Sequence, residues 1–214
     1  MTARAEDLGT ALCHILIAAS MMFIAGIRLR TVLYMVLTAL LLAYPAWMRL
    51  HDYQKKRIIT FVAPESDPLG SGYHAIQSQI AVGSGALVGK GYLQGTQTQL
   101  SFLPEQTTDF IFSVLAEEWG FLGSITALAL YSMVLFRILG VAARSKERFP
   151  AFVALGVGMM LFWHVFINIG MVIGVMPVVG ITLPLLSYGG SSAVAFMSAL
   201  GLVAGINMRR FVFS

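Results

Sequence analysis

FIFSVLAEEWGFLGSITALALYSMVLFRIL, residues 110–139, is one long apolar run broken near its start by two adjacent acids. A helix crossing a bilayer needs about 20 such residues, so this one is long enough to begin or end outside the hydrocarbon. Four further apolar runs lie at 8–27, 31–48, 151–173 and 192–207. The whole chain of 214 residues is 57% hydrophobic and 11% charged, with mean hydropathy +0.80. Soluble domains carry roughly 25% charged residues. The expected fold is therefore all-α: a polytopic membrane helix bundle of about five transmembrane helices. It forms a single membrane domain over 1–214, with one large extracytoplasmic loop at 50–108.

The net charge of +4 is modest. In a membrane chain basic residues report orientation, and no nucleic-acid partner is expected; membrane lipids are the surroundings. Arg28 and Arg30 lie between the first two runs, Arg137, Arg144, Lys146 and Arg148 between the third and fourth, and Arg209 and Arg210 after the fifth. All three clusters fall on one face, which the positive-inside rule makes cytoplasmic, with the C-terminus inside. Arg49, Lys55, Lys56 and Arg57 run against that pattern, but a long translocated loop weighs little. Five spans then start Met1 outside without a signal peptide, the expectation for the tail of a longer protein. Cys13, the only cysteine, has no intramolecular partner and reads as packing.

The polar chemistry sits in the long loop. Glycines at 83, 85, 89, 91 and 95 let backbone N–H groups approach an anion, or let two backbones pack closely. A P-loop is excluded, because Ser84 stands where its first glycine belongs and Gly91 follows Lys90. The dinucleotide spacing fails at Val88. Lys90, the one cation among the glycines, is the candidate anion contact. Pro104 and Thr107–Thr108 are helix-start signals that put Asp109 in the first turn of the third span, where the helix dipole favours a carboxylate. The same position suits a base, a cation ligand or a plain dipole partner. Glu117 lies about 12 Å further along such a helix, beyond the roughly 5–9.5 Å of a glycosidase carboxylate pair. Glu117 and Glu118 point about 100° apart, so at least one is expected to face the bundle interior. His14, His164 and Asn168 read as packed or hydrogen-bonded groups inside spans. The second outside loop, 174–192, is irregular yet very apolar, as backbone buried in protein can be.

DPLGSGYHAIQSQIAVGSGALVGKG (67–91), GTQTQLSFLPEQTTDFIFSVLAEEWG (95–120) and NIGMVIGVMPVVGITLPLLSYGGSS (168–192), with HDYQKKRI (51–58), together resemble the SEDS family. The opening EDLGTA is similar to that family's Q-P-D-L-G-T segment, with Glu6 in place of proline. The likeness is closer to the elongation-type than to the division-type members. It implies a peptidoglycan glycosyltransferase of the bacterial cytoplasmic (inner) membrane that polymerises lipid II for cell elongation and cell shape. It makes Asp109 the catalytic aspartate, either as base on the acceptor hydroxyl or as ligand of a divalent cation (Mg or Mn). Within the matched stretches the candidate substrate contacts are Lys90 with Gly89 and Gly91, then Glu105, Glu117, Ser187 and Ser191. The implied partner is a class B penicillin-binding protein, the crosslinking transpeptidase. The alternatives are a flippase for the lipid-linked precursor, which Glu117 and Glu118 would suit, and a non-catalytic scaffold for that synthase. The family's members are about twice this length, so the match is to a C-terminal half. Alone, this chain is expected not to polymerise, and to leave one of Glu117 and Glu118 facing lipid.

Overall fold

The structure is a computed structural model that describes residues 8–49, 55, 59–61, 63, 70–96 and 107–209. Glu105 lies outside the described residues. Six helices are present among them: α1 (Leu8–Ile24), α2 (Leu29–Arg49), α3 (Ser71–Ser84), α4 (Ile111–Arg144), α5 (Arg148–Val172) and α6 (Gly190–Arg209). The all-α membrane bundle is borne out. Three helices, α4, α5 and α6, are long and apolar enough to cross a bilayer. The other two expected spans are shorter as apolar helices: α1 has 17 residues, and α2 contains Pro45. A further helix, α3, lies within the segment read as loop.

The fifth helix is the hub, packing against α1, α3, α4 and α6. Its sequence explains this: it is apolar all round, so every face can be covered. The tightest core comprises Cys13, Leu161, Ile167, Met171, Val172 and Leu183, all nearly or fully buried. Leu40, Leu130, Phe136 and Met197 are exposed, as lipid-facing side chains of a bundle are. Several polar groups inside are paired across helices. The Ser78 hydroxyl donates to the carbonyl of Val172 at 2.9 Å and shares a hydrogen bond with Ser113 at 2.8 Å, tying α3, α4 and α5 together. Trp163 Nε1 donates to Ser20 Oγ at 2.9 Å. His164 Nδ1 lies 2.8 Å from the carbonyl of Met160 and 3.4 Å from Cys13 Sγ, so both residues have the packed roles expected of them.

The fourth helix is not continuous. Gly120 has φ 64 and ψ −159, which splits α4 into 111–119 and 121–144. The second part runs about 36 Å at 1.5 Å per residue, enough to span the hydrocarbon by itself. Glu117 and Glu118 therefore belong to a separate half-helix, not to the interior of a straight span. A break leaves orphan carbonyls on one side and orphan N–H groups on the other. Residues 85–91 fill it. Phe121 N donates to Ala86 O at 2.9 Å and Leu122 N to Leu87 O at 3.1 Å, while Lys90 N and Gly91 N each donate at 3.0 Å to Glu117 O and Glu118 O. Two N–H groups and two carbonyls at the break are thus satisfied by a neighbouring backbone. Two backbones so close leave no room for side chains: a Cβ on Gly85 would overlap Ala116 O, one on Gly89 would overlap Glu118 O, and one on Gly120 would meet Leu87 C at 2.8 Å.

Candidate functional site

The start of α4, the end of α5 and the loop leading into α6 meet at one end of the bundle. There residues 107–110 form a turn, and the helix begins only at Ile111, with Phe110 as its N-cap. Asp109 therefore stands just before the helix and not in its first turn, where its sequence context puts it. The reason is where the carbonyls go. In a helix that included Asp109, Ser113 N–H would bond Asp109 O. Instead Ser113 N bonds Phe110 O at 2.9 Å, and Asp109 O accepts from Asn168 Nδ2 at 2.8 Å.

The two preceding carbonyls are held in the same way. Tyr188 N donates to Thr107 O at 2.8 Å, and the Ser187 hydroxyl donates to Thr108 O. Ser187 Oγ also accepts from Leu183 N at 2.7 Å. Three consecutive carbonyls are thus clamped by the 181–188 loop and α5. Asn168 Nδ2 also donates to Ile181 O at 2.6 Å, joining that loop to the Asp109 turn. The Asp109 side chain is half-buried, still at the positive end of α4, and its Oδ2 lies 3.3 Å from where a Cβ on Gly180 would stand. Gly180 has φ +71, a conformation that favours glycine, so no side chain stands on that flank of the carboxylate.

The second polar cluster is Lys90, Thr96 and Glu117. Lys90 Nζ is 2.7 Å from Glu117 Oε1, with Lys90 28% exposed and Glu117 fully buried. Lys90 also donates to Thr96 Oγ1 at 2.8 Å, and Thr96 donates to Glu117 Oε1 at 3.2 Å. The lysine read as an anion contact is thus committed to a carboxylate of its own chain. The N–H groups of Gly89 and Gly91 are likewise bonded to protein, Gly89 N to Gly85 O at 2.8 Å. The close-packing use of the glycines is the one the structure displays. Glu118 is 7% exposed, so both acids are covered within this chain, and the expectation that one of them faces lipid is overturned. The cover is the inserted 85–91 loop.

Of the predicted contacts, Ser187 touches the Asp109 turn, Lys90 and Glu117 form their own pair, and Ser191 is exposed in the first turn of α6. Among the described residues no group of three or more His, Cys, Asp or Glu side chains could hold a metal ion. One carboxylate suits Mg, which keeps several waters and relies on substrate phosphates, better than a metal that needs a protein cage. Sequence alone assigns Asn168 a bond across helices but not its partner, the main chain of Asp109.

A family described as cell cycle protein, that of FtsW, RodA and SpoVE, matches residues 1–211. The peptidoglycan glycosyltransferase MrdB of Escherichia coli K12 is 47% identical over 215 residues, covering 100% of this chain and 58% of the relative. The peptidoglycan glycosyltransferase RodA of Treponema pallidum is 47% identical over 161 residues, 75% of this chain and 37% of the relative. Among solved structures, a chain from a study of how a peptidoglycan synthase complex coordinates polymerization and crosslinking superposes with TM-score 0.76 at 35% identity. That match covers 96% of this chain and 57% of the other. The chain thus spans about half the length of such relatives.

Proposed function

Because the chain belongs to the FtsW, RodA and SpoVE family of cell cycle proteins, we propose that it carries the reacting carboxylate of a peptidoglycan glycosyltransferase. The substrate is lipid II, polymerised outside the cytoplasmic membrane of a bacterium for cell elongation and shape. The basic short loops support a cytoplasmic C-terminus, with the Asp109 end of the bundle outside. One observation carries the reading: Asp109 is the acid that the fold holds in a clamped turn at a helix start, half-buried and flanked by glycine.

In the reaction the acceptor sugar's hydroxyl oxygen attacks the anomeric carbon of the lipid-linked donor. The bond from that carbon to the diphosphate breaks, and undecaprenyl diphosphate leaves. The hydroxyl proton goes to the Asp109 carboxylate when it acts as base. A divalent cation, Mg or Mn, would take Asp109 as its protein ligand, with phosphate oxygens and water completing the shell, and would neutralise leaving-group charge. Both roles need the ionised carboxylate. The Lys90–Glu117 pair is assigned to holding the inserted loop in the break of α4, which takes from the flippase alternative one of its two acids. The likeness to a chain of a synthase complex supports a crosslinking partner, a class B penicillin-binding protein.

The test is a chimera in which this chain replaces the matching part of the E. coli relative. It is assayed with purified lipid II, a divalent cation and a partner synthase whose own glycosyltransferase is silenced. Glycan strands are expected from the chimera and none from its Asp109→Asn variant; near-parental polymer from that variant overturns the reading.

A further inference from the structure

We propose that Asn168 is a positioning residue for Asp109. Its side-chain amide holds the main chain of Asp109 outside α4 and so sets where the carboxylate stands. The inference rests on the reading of Asp109 as the reacting group.

Among the described residues Asn168 is the only fully buried polar side chain of α5, at 0% exposure in a mostly apolar helix. Its two amide N–H groups are both spent on main-chain carbonyls, Asp109 O at 2.8 Å and Ile181 O at 2.6 Å. One side chain thus joins three elements at a single point: the hub helix, the turn before α4 and the loop that returns to α6. The bond to Asp109 is not interchangeable with packing. Asp109 O is the acceptor that one more residue of helix would use, through Ser113 N–H. With Asn168 occupying it, Ser113 N turns to Phe110 O and the helix starts at Ile111. Without it, the helix can extend backwards, and rewinding Asp109 into a helical conformation would re-aim its carboxylate. Asn168 Oδ1 is buried and has no partner among the described residues. A buried unpaired acceptor is destabilising, so an apolar residue would serve better if the position were for packing alone. Tyr188 and Ser187 hold the carbonyls of Thr107 and Thr108, and Asn168 holds that of Asp109.

The experiment uses the chimera described above, purified, with kcat and KM for lipid II measured per folded molecule. Asn168→Leu keeps the bulk and removes both donors; Asn168→Ser removes them with less bulk. Both are expected to lower kcat about tenfold to a hundredfold, the range for a small misplacement of a reacting group, with KM within about twofold. A merely structural role would lower the yield of folded protein and leave kcat per folded molecule unchanged, and that result overturns the proposal. Should Asn168→Leu not fold, Asn168→Ser carries the test. If neither folds, Asn168 is scaffolding and the proposal fails. Parental kcat in Asp109→Asn would instead remove the reading of Asp109, which separates the two failures.

Discussion

Lys90 Nζ and Glu117 Oε1 stand 2.7 Å apart, the carboxylate fully buried and the ammonium 28% exposed. Removing one partner of such a pair strands the other, at about 3–5 kcal/mol, whereas replacing both with apolar groups is often neutral. Lys90→Met and Glu117→Leu should each lower the thermal midpoint of the detergent-solubilised protein, and the double variant should recover much of the loss. Additive losses in this cycle would show that the two charges act independently.

Asp109 supports chemistry through its charge. Asp109→Asn keeps its size and leaves the main-chain bond to Asn168 intact. Folding and partner binding should be unchanged while polymerisation falls below detection, by at least about 10²-fold for a lost base. A gel of labelled glycan beside a thermal melt checks both halves.

Gly120 has a positive φ and no space for a Cβ. Gly120→Ala should cost about 1–3 kcal/mol from the backbone alone, and more from the overlap with residues 87–89. In contrast, Gly201 lies within α6, and a methyl group there would meet nothing within 4 Å. Gly201→Ala should be neutral or stabilise by up to about 1 kcal/mol. Comparable melting losses in both variants would mean that the break is not what restricts position 120.

Orientation is open to thiol labelling, since the lone native Cys13 is buried. Cysteine at Tyr92, which is 72% exposed, should react with a membrane-impermeant reagent in intact cells. Cysteine at Lys146, in the turn between α4 and α5, should react only after lysis. The reverse pattern would move Asp109 to the cytoplasm and end the proposed chemistry.

Apolar runs and the long motifs make the bundle and the family legible in the sequence. The break in α4 is not legible, because hydropathy and spacing treat Gly120 and Gly123 alike. Both lie in the same apolar run, yet only Gly120 leaves the helix. What separates them is the backbone of residues 85–91 docking at one and not the other, a contact between segments far apart in sequence. Lys90 shows the same limit: its isolation among glycines suggests an anion contact, and spacing cannot show that Glu117, on another element, pairs with it. The helix start slips past Asp109 because local cap signals cannot foresee a carbonyl taken by α5.

The loop that completes α4 lies roughly thirty residues earlier in the chain than the break it fills. During synthesis it therefore leaves the ribosome first. A membrane helix is normally an independent unit of insertion, because its own backbone satisfies every polar group. This one is not: at position 120 it borrows four hydrogen bonds from a neighbour. The join at position 120 therefore closes only against the loop that trails α3, while 121–144 is long enough to insert by itself. A chain whose segments were permuted so that α4 emerged first would meet the translocon with its orphan groups uncovered.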